Sequence, residues 1–394
     1  IYCNKGNASI SGNRIGKYST ANDINMAGSG THYGIRLERN LSGNGLVSSD
    51  TIANINFTGS SNSNVVYGIY ASTNGSTVNE VSGNVLKNIS TASSKSNLES
   101  DPTFAFALTG IYYLSGGSAG LSLSNNSIDG LGATSTSAAE NPVVVGIEVH
   151  PNNAGSLLSV SANKIISLSN VATNSTNLPS IIGIRMFASQ SSTLLVSNNM
   201  IALNNSSNTN GLNVYGIYDI LSGGNKNYFY NSVSIGGTAT GDARSAAFWY
   251  NATSTSLNLR NNILHNTRSG GSLKHWAVVH STGSGTEWTS ATSNFNNLYT
   301  SNVNTLGAWP LNTDKTFSTW KTTSGGDAGS KNVFTNFIDA NTDLHLVDNN
   351  NCNLESAGQV QASVLVDYDG QLRDAVSPDI GADEFAGLLQ INGP

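Results

Sequence analysis

The chain has 394 residues, of which 11% are charged and 38% hydrophobic, and its formal net charge is −6. Nucleic acids and anionic bilayers bind clustered Lys and Arg, so this acidic and charge-poor composition excludes both as partners. No apolar run reaches the roughly 20 residues of a membrane-spanning helix. We therefore expect a protein that does not span a membrane.

A Gly-Ile pair recurs along the chain and opens each unit of a repeat. Short alternating segments rich in β-branched residues follow each pair, and no segment keeps an amphipathic helical period over helical length. These features exclude repeat families whose units contain helices. The pairs are Gly34-Ile35, Gly68-Ile69, Gly110-Ile111, Gly146-Ile147, Gly183-Ile184 and Gly216-Ile217, and Ala247-Phe248 takes the same place once.

A polar residue follows each pair after about fifteen residues and gives a period of roughly 35 residues, which is typical of stacked supersecondary units. The arc before this residue is nearly constant in length, whereas the loop after it varies. This combination predicts an all-β fold, a parallel β-helix of about nine or more rungs with a C-terminal capping region. The polar positions are Asn13, Asp50, Asn84, Asn126, Asn163, Asn199, Asn231, Asn262 and Asn297.

Six of these amides are predicted to form an internal ladder at one turn of the coil. Asn tolerates left-handed backbone at a tight bend, and stacked side-chain amides can pass hydrogen bonds from rung to rung. The ladder is a structural feature and not a catalytic one. Its predicted members are Asn84, Asn126, Asn163, Asn199, Asn231 and Asn262.

The residue after each Gly-Ile pair should point outward if the isoleucine points inward. This outward stripe contains Arg36, Tyr70, Tyr112, Glu148, Arg185, Tyr218 and Trp249, with His150 two residues beyond Glu148. We expect Glu148 and Arg185 to form an exposed ion pair between neighbouring rungs.

Three interpretations of the outward stripe remain open. Its aromatic residues can pack across rungs simply to stabilise a sheet, which the β-propensity of Tyr and Trp favours. Tyr70, Tyr112, Tyr218 and Trp249 could instead bind sugar rings without catalysis. Alternatively, Glu148 and His150 could act as acid and base beside Arg185 in a polysaccharide lyase or glycoside hydrolase.

After about Ser269 the Gly-Ile pair no longer occurs, and Asp and Asn become more frequent. We assign residues 1–300 to β-helix rungs, 301–385 to final rungs and a C-terminal cap of the same domain, and 386–394 to a linker or tail. Thr316 to Thr322 could form a short helical turn with Phe317 and Trp320 on one face. The two cysteines, which stand near opposite ends, should be unpaired and mostly buried.

Acidic residues accumulate near the C-terminus, and they have three interpretations, the least favoured of which is a hydrolase carboxylate at Asp379 or Asp383. Asp367 and Asp369 could hold calcium through their oxygen atoms. The favoured alternative is that Arg373 and the carboxylates fix the last rung, because an open solenoid end needs a polar cap. We expect no cofactor and no metal as the default.

A motif near the C-terminus resembles that of a known protein family. It consists of Asp367-x-Asp-Gly-x-x-Arg373 followed by Pro378-Asp-Ile-Gly-Ala-Asp-Glu-Phe385. Together with Trp320, Gly326-Asp327, Ser330 and Asp343-Leu-His-Leu346, it resembles the end of secreted right-handed parallel β-helix proteins. These belong to the pectin-lyase-like superfamily and are exported by the bacterial type IX system. The resemblance covers about the last hundred residues and carries no catalytic residue onto this chain.

The resemblance implies export to the outside or the cell surface of a Gram-negative bacterium, with the secretion machinery as a partner. Many relatives are large adhesin-like proteins, so surface glycans or other surface proteins are expected partners. A C-terminal sorting domain usually follows, and the chain opens within a strand-like segment, so we expect a piece of a longer or processed protein. The expected function is a non-catalytic structural or adhesive segment.

Overall fold

The computed structural model describes residues 1–4, 8–20, 22–39, 45–73, 78–95, 106–115, 120–135, 141–151, 157–172, 180–187, 193–204, 211–220, 223–251, 256–272, 274–281 and 293–386. The chain winds into a coil in which each strand pairs in parallel with its counterpart one turn earlier and one turn later. The predicted parallel β-helix is therefore confirmed. Of the tail assigned to 386–394, only Ala386 lies within the described residues.

Three parallel sheets form the faces of the coil. The first contains Tyr2–Cys3, Thr31–Arg39, Val65–Thr73, Leu108–Ser115, Val144–Pro151, Ile181–Met186, Val214–Asp219, Ser245–Tyr250, His275–His280 and Gly307–Ala308, with antiparallel Asp314–Lys315 at its edge. The second contains Ala8–Ser11, Gly45–Ser48, Asn79–Ser82, Leu121–Ser124, Leu157–Ser161, Thr193–Ser197, Asn225–Phe229 and Leu257–Arg260. The third contains Arg14–Ile15, Thr51–Phe57, Val85–Thr91, Ser127–Ala133, Lys164–Ile166, Met200–Leu203, Ser232–Ile235, Ile263–Asn266 and Asn297–Thr300, joined at its sides by Ile24–Met26 and Ser169–Asn170.

Seven consecutive turns, from Thr31–Arg39 to Ile263–Asn266, have three strands of at least three residues each within the described ranges. Shorter sets precede and follow them. The predicted count of about nine or more rungs is thus too high, because the polar landmark also occurs in the incomplete turns at both ends. We number the seven complete turns one to seven below.

The Gly-Ile pair lies in the first sheet, and its isoleucines fill the core as predicted. Ile35, Ile69 and Ile147 are fully buried, and each pairs with its counterpart in the next turn. The glycine is required because its backbone also faces the core. A Cβ on Gly68 would lie 2.4 Å from Leu86 Cδ2 and 2.7 Å from the carbonyl oxygen of Gly110, so any side chain would collide.

The predicted asparagine ladder is confirmed, and its hydrogen bonds all run in one direction. Asn126 donates from its backbone N–H (3.1 Å) and from Nδ2 (2.9 Å) to Oδ1 of Asn163, and Nδ2 also donates to the carbonyl of Val81 (2.9 Å). Every predicted member repeats this pattern and is buried, so each amide is satisfied on both sides. The same bonds join Asn84, Asn126, Asn163, Asn199, Asn231 and Asn262.

The left-handed backbone lies one residue before each ladder amide, not at the amide itself as expected. Residues of several types take this position, including Gly83 (φ 63°), Ala162 (φ 52°) and Tyr230 (φ 55°). The turn thus separates two tasks. One residue bends the chain, and the next satisfies the buried hydrogen bonds.

Both ends of the ladder contain a carboxylate. Asn13 donates to Asp50 Oδ1 from its backbone N–H (2.7 Å) and from Nδ2 (2.8 Å), so the ladder also includes these two landmark positions beyond its six predicted members. At the other end Asn262 donates to Oδ1 of Asn296 (3.0 Å), so the predicted landmark Asn297 was wrong by one residue. Asn296 in turn donates to the buried carboxylate of Asp327 (3.2 Å), which also accepts hydrogen bonds from Ser293 and Ser330.

An ion pair that the sequence analysis did not anticipate lies inside the coil. The ammonium group of Lys226 is 3.1 Å from the carboxylate of Asp219, and Tyr228 donates to the same carboxylate at 2.8 Å. All three side chains are buried. Burial lowers the pKa of Lys226 and raises the pKa of Tyr228 well above its usual value.

Residues 303–324 close the C-terminal end of the core. A 3-10 helix, Val303–Thr305, leads to buried Trp309, and the α-helix Phe317–Ser324 places Trp320 in the same core with Phe317 packed against it. The predicted helical turn is therefore confirmed. Trp320 donates from Nε1 to Asp327 at 2.9 Å. This hydrogen bond joins residues 303–324, which we call the cover of the core, to the end of the ladder. With eight residues, this α-helix is too short to cross a bilayer, and no other helix in the described ranges could do so.

The chain then returns along the outer face of the third sheet as a strap, residues 333–385. It contains the hairpin Phe337–Asp339 and Asp343–Leu346 and the 3-10 helix Asp348–Asn350. Leu344 and Ala382 bury Ile166 and Met200, and Ile380 packs on Ile263. The strap therefore covers turns four to seven from the side, whereas the expected position was the end of the coil.

Arg373 holds the strap in place. It bonds Glu384 at 3.1 Å and donates to Asn198 Oδ1 at 3.0 Å, and its guanidinium group lies 3.9 Å from the centre of the Tyr230 ring. Cys352 is exposed and Cys3 half-buried, and no disulfide joins them. The expectation of mostly buried thiols is thus wrong for Cys352, because it lies on the strap and not in the coil.

Candidate functional site

The predicted outward stripe exists as a continuous row on the first sheet, but it is not exposed. Strand register aligns Tyr70, Tyr112, Glu148, Arg185, Tyr218 and Trp249 as successive partners. Tyr112 is 6% exposed, Tyr218 3% and Trp249 6%, and Tyr70 is half-buried. The surface placement of this row was wrong, because apolar residues such as Phe106, Val145 and Ile182 pack on the same outer face.

Glu148, His150 and Arg185 come together in the middle of this row and form what we call the acid-base cluster. His150 Nε2 lies 2.6 Å from Glu148 Oε1, and Arg185 Nη1 donates to the same oxygen. Glu148 is 0% exposed, and His150 and Arg185 are each 2% exposed. The predicted Glu148–Arg185 ion pair is therefore present, but it is buried and not exposed.

Aromatic rings enclose the acid-base cluster on several sides. The Arg185 guanidinium lies 4.9 Å from the centre of the Phe106 ring and 4.5 Å from that of Phe187. The His150 ring lies between Tyr112 and Phe187, with centroid distances of 5.0 Å and 5.1 Å. Burial and the negative charge of Glu148 raise the pKa of Tyr112, so its hydroxyl stays protonated.

The second carboxylate oxygen of Glu148, Oε2, is buried and has no hydrogen-bond partner among the described residues. An unsatisfied carboxylate oxygen is the feature that a general base would need. Nevertheless, a glycosidic bond cannot approach an atom that is fully covered. As arranged here, the cluster is a buried ion pair that joins two neighbouring turns.

A group of partly exposed aromatic residues lies at the N-terminal end of the same face. Tyr2 is exposed, Tyr33 and Tyr70 are half-buried, and Arg36 lies 4.5 Å from the centre of the Tyr33 ring. Tyr70 stacks on Tyr112 with a centroid distance of 5.1 Å and an interplanar angle of 8°. Of the four predicted sugar-binding residues, therefore, only Tyr70 presents part of its ring to solvent.

The two predicted calcium ligands have different environments. Asp367 is buried, and its carboxylate accepts backbone hydrogen bonds from Gln371 (2.7 Å), Asp369 (3.0 Å) and Glu384 (3.1 Å). Asp369 instead lies on the surface of the strap, where Oδ2 is 2.8 Å from His345 Nε2. Asp367 thus organises a turn, whereas Asp369 belongs to a separate group of charged side chains.

His345, Asp369 and Asp383 each offer one atom within 4.8 Å of the others, so this group could hold a metal ion. Burial opposes a positive charge on His345, but the adjacent carboxylates of Asp343 and Asp369 raise its pKa above the usual value. The ion pairs therefore satisfy the histidine without a metal. Neither His345 nor Asp383 was predicted as a metal ligand, because this group comes together only when the strap folds, although the Asp-Leu-His-Leu motif was noted.

Comparison of the chain with protein-family models, with curated proteins and with solved structures finds no match. What the chain does must therefore be argued from its own geometry.

Proposed function

We propose that this chain is a non-catalytic structural or adhesive β-helix segment that acts outside the cell. The observation that carries the proposal is the burial of Glu148, whose carboxylate binds both His150 and Arg185. An acid or base that cuts a polysaccharide must reach the glycosidic oxygen or a carbon-bound proton. In this fold the best candidate for that role is enclosed.

The residues behind the family resemblance support a structural role as well. Asp367, Asp379 and Asp383 all accept backbone hydrogen bonds, and Arg373 crosses from the strap to the coil. These hydrogen bonds stabilise the fold, so few polar atoms of these side chains remain for a chemical reaction. The proposal includes a pectin-lyase-like β-helix exported through the type IX pathway, for which the support is the C-terminal phrase and the charge-poor surface.

A glycan panel tests the absence of catalysis. We expect no cleavage of acidic or neutral polysaccharides by the purified chain. Cleavage that disappears in Glu148→Gln but persists in Glu80→Gln, an exposed glutamate on the second sheet, would establish an enzyme instead. For export, the full-length reading frame should appear in the medium or on the surface of a bacterium with a type IX apparatus, and should be retained when that apparatus is deleted.

A second candidate function is sugar binding by the N-terminal aromatic residues. The half-exposed Tyr33 and Tyr70 beside Arg36 favour it, since sugars stack on aromatic faces. Retention on a glycan column that is lost in Tyr70→Ala and kept in Tyr218→Phe, whose ring is buried, would support this function. Equal retention of both variants would contradict it.

A further inference from the structure

Three side chains that can ligate a metal converge within the strap. His345 lies in the hairpin strand Asp343–Leu346, Asp369 lies in a turn further along the strap, and Asp383 lies near the end of the strap. One atom from each lies within 4.8 Å of the others, and His345 Nε2 is 2.8 Å from Asp369 Oδ2. Ligand atoms around a tetrahedral zinc ion are about 3.3 Å apart, so modest side-chain shifts place all three around one ion.

Asp383 is the buried member of this group, and half of its carboxylate is unused. The residue is 6% exposed, and its Oδ2 accepts the backbone N–H of Leu346 at 2.8 Å. The described residues give its Oδ1 no hydrogen bond and give the carboxylate no ion pair. A buried charge without a partner is costly. A cation held by Asp383 and Asp369 would supply that partner and offset the repulsion between the two carboxylates.

A fourth residue orients the imidazole ring. Nδ1 of His345 is hydrogen-bonded to the carboxylate of Asp343, two residues earlier on the same strand, which leaves Nε2 as the nitrogen that faces Asp369. Histidines that ligate metals usually donate their other ring N–H to a carboxylate or a carbonyl, and this bond fixes the tautomer. The ring of Tyr368 packs edge-on against the imidazole at a centroid distance of 5.6 Å. The imidazole is therefore held in the orientation that a metal ligand needs.

The backbone that carries the three ligands is fixed by hydrogen bonds. The N–H of Asp369 donates to Asp367 Oδ1 at 3.0 Å, which holds the turn. The N–H of Tyr368 donates to the carbonyl of Ala382 at 2.8 Å, which joins this turn to the stretch that carries Asp383. The Leu346 bond joins that stretch to the hairpin. Ligands that are held in place before binding lose less conformational freedom when an ion binds.

We propose that His345, Asp369 and Asp383 form a binding site for a divalent transition-metal ion such as Zn²⁺. The ion contacts Nε2 of the imidazole and one oxygen of each carboxylate, and water completes the coordination. The imidazole favours Zn²⁺ over Ca²⁺ and Mg²⁺, which prefer oxygen ligands. Asp367 is not a ligand, because its carboxylate accepts three backbone N–H groups. The site is independent of the proposed function, since it lies on the strap and Glu148 lies on the first sheet.

The test is calorimetric titration of the intact chain, stripped of metal with a chelator, with ZnCl₂, CaCl₂ or MgCl₂. We expect one Zn²⁺ ion to bind per chain, and Ca²⁺ and Mg²⁺ to bind at least tenfold more weakly. The NMR signals of the His345 ring should shift as Zn²⁺ is added. Zn²⁺ should also raise the melting temperature, because only the folded strap brings the ligands together. Absence of Zn²⁺ binding, or equal affinities for Zn²⁺ and Ca²⁺, would overturn the proposal.

Asp369→Asn should weaken Zn²⁺ binding about tenfold or more and remove the increase in melting temperature. The side chain of Asp369 is 40% exposed, so this substitution should leave the fold intact, which circular dichroism checks. Asp339→Asn is the matched control, because Asp339 is an exposed aspartate of the same hairpin whose carboxylate accepts hydrogen bonds from Asn341 and Thr342. Equal losses of affinity in the two variants would contradict a site at Asp369.

Three further variants separate this site from other side chains that bind zinc. His345→Gln should lose Zn²⁺ binding, whereas His32→Gln should keep it, because His32 is a half-buried histidine at the other end of the coil. Cys352→Ser should also keep it, although the exposed thiol of Cys352 could bind zinc by itself. Loss of binding in Cys352→Ser or in His32→Gln, with binding kept in His345→Gln, would assign the ion to those side chains and overturn the proposal.

Discussion

Asp50 occupies a ladder position that amides fill in the neighbouring turns. Its Oδ1 accepts from Asn13, but its Oδ2 is buried without a hydrogen-bond partner among the described residues. In Asn84 the equivalent atom is an Nδ2 that donates to Val47 and Asn126. Asp50→Asn should therefore complete the ladder and raise the free energy of unfolding by about 1 kcal/mol.

Urea denaturation of the two proteins measures this difference. Asp129→Asn is the control, since Asp129 is half-buried on the outer face and faces Lys87 at 3.9 Å. It should bring no gain. A loss of stability in Asp50→Asn would mean that the carboxylate has a favourable role that the ladder geometry does not explain.

The residue before each ladder amide gives a reciprocal pair of substitutions. Ala162 has a φ of 52°, which is strained for any residue with a Cβ, whereas Gly83 takes the same place in another turn without strain. Ala162→Gly should stabilise the protein and Gly83→Ala should destabilise it, each by about 0.5–1 kcal/mol. A Cβ at Gly83 would be 3.7 Å from its nearest neighbour, so no collision complicates the comparison. Thermal melts of both variants should shift in opposite directions, and shifts of the same sign would refute the strain argument.

His265 makes the stability of the protein depend on acid pH. Its ring is buried among Tyr299, Phe334 and Phe337, and burial lowers its pKa to about 4. The His265 imidazole takes up a proton near pH 6.5 in the unfolded chain, but only near pH 4 in the folded chain. Its contribution to the free energy of unfolding is therefore fully present above pH 6.5 and is lost as the pH drops towards 4. The loss contributed by this group is at most about 3 kcal/mol.

Substitution His265→Leu removes that contribution. The difference in unfolding free energy between the variant and the wild type should therefore change with pH between 6.5 and 4, in favour of the variant at the acidic end. Chemical denaturation at several pH values measures it. A difference that stays constant with pH would show that His265 does not titrate in this range.

At the scale of structural elements, the ladder is a row in which each amide forms hydrogen bonds with the amides of the previous and the next turn. Asn163 accepts two hydrogen bonds from Asn126 and donates to Leu123 (3.0 Å) and Asn199 (2.9 Å). Asn163→Ala leaves buried donors and acceptors on both sides without partners, and we expect a loss of about 3 kcal/mol or more. Asn258→Ala is the control, because Asn258 is half-buried, and its side chain donates to Asn227 at 3.3 Å and accepts from Arg260 at 2.8 Å outside the ladder. Comparable losses in the two variants would contradict a special role for the ladder.

Much of this architecture follows from local sequence pattern. The Gly-Ile spacing predicts the inward row, and the polar landmark predicts the ladder, because both repeat in every turn. Burial of the outward row did not follow, since alternation assigns a face but cannot say whether that face is covered. The cover of the third sheet, by contrast, has a trace in the sequence, where the outward charges Lys87 and Asp129 give way to Ile166 and Ala202 in later turns. That change marks the part of the sheet that the strap covers.

The acid-base cluster shows that the prediction of a candidate functional site from sequence pattern has the same limit. Register places Glu148 beside Arg185 from the sequence alone, and the structure confirms that they meet. Phe187 lies two residues beyond Arg185, so the same register places its ring beside His150. The ring of Phe106 comes from the segment before the strand of the previous turn, and no local pattern announces it.

At the scale of the whole molecule, the cover of the core should matter most for the final turns. Trp320 is fully buried at the end of the coil, and its substitution by Ala should cost about 3–5 kcal/mol. Hydrogen exchange should then accelerate in the strands Ser245–Tyr250 and His275–His280 more than in Val65–Thr73. Phe317→Ala, on the half-buried side of the same helix, should have a smaller effect. Uniform acceleration along the coil would mean that the cover acts on the whole fold at once.

The strap changes how the coil can come apart. In a simple solenoid each turn contacts only its neighbours, so turns can peel away one after another from a free end. Here the strap is tied to Asn198 in turn five, Tyr230 in turn six and Asn261 in turn seven. Peeling any one of these turns requires release of a segment that also holds the others, so they should unravel together under heat or mechanical tension. For a coil under tension, such a brace would replace a series of small unfolding steps with one high energy barrier.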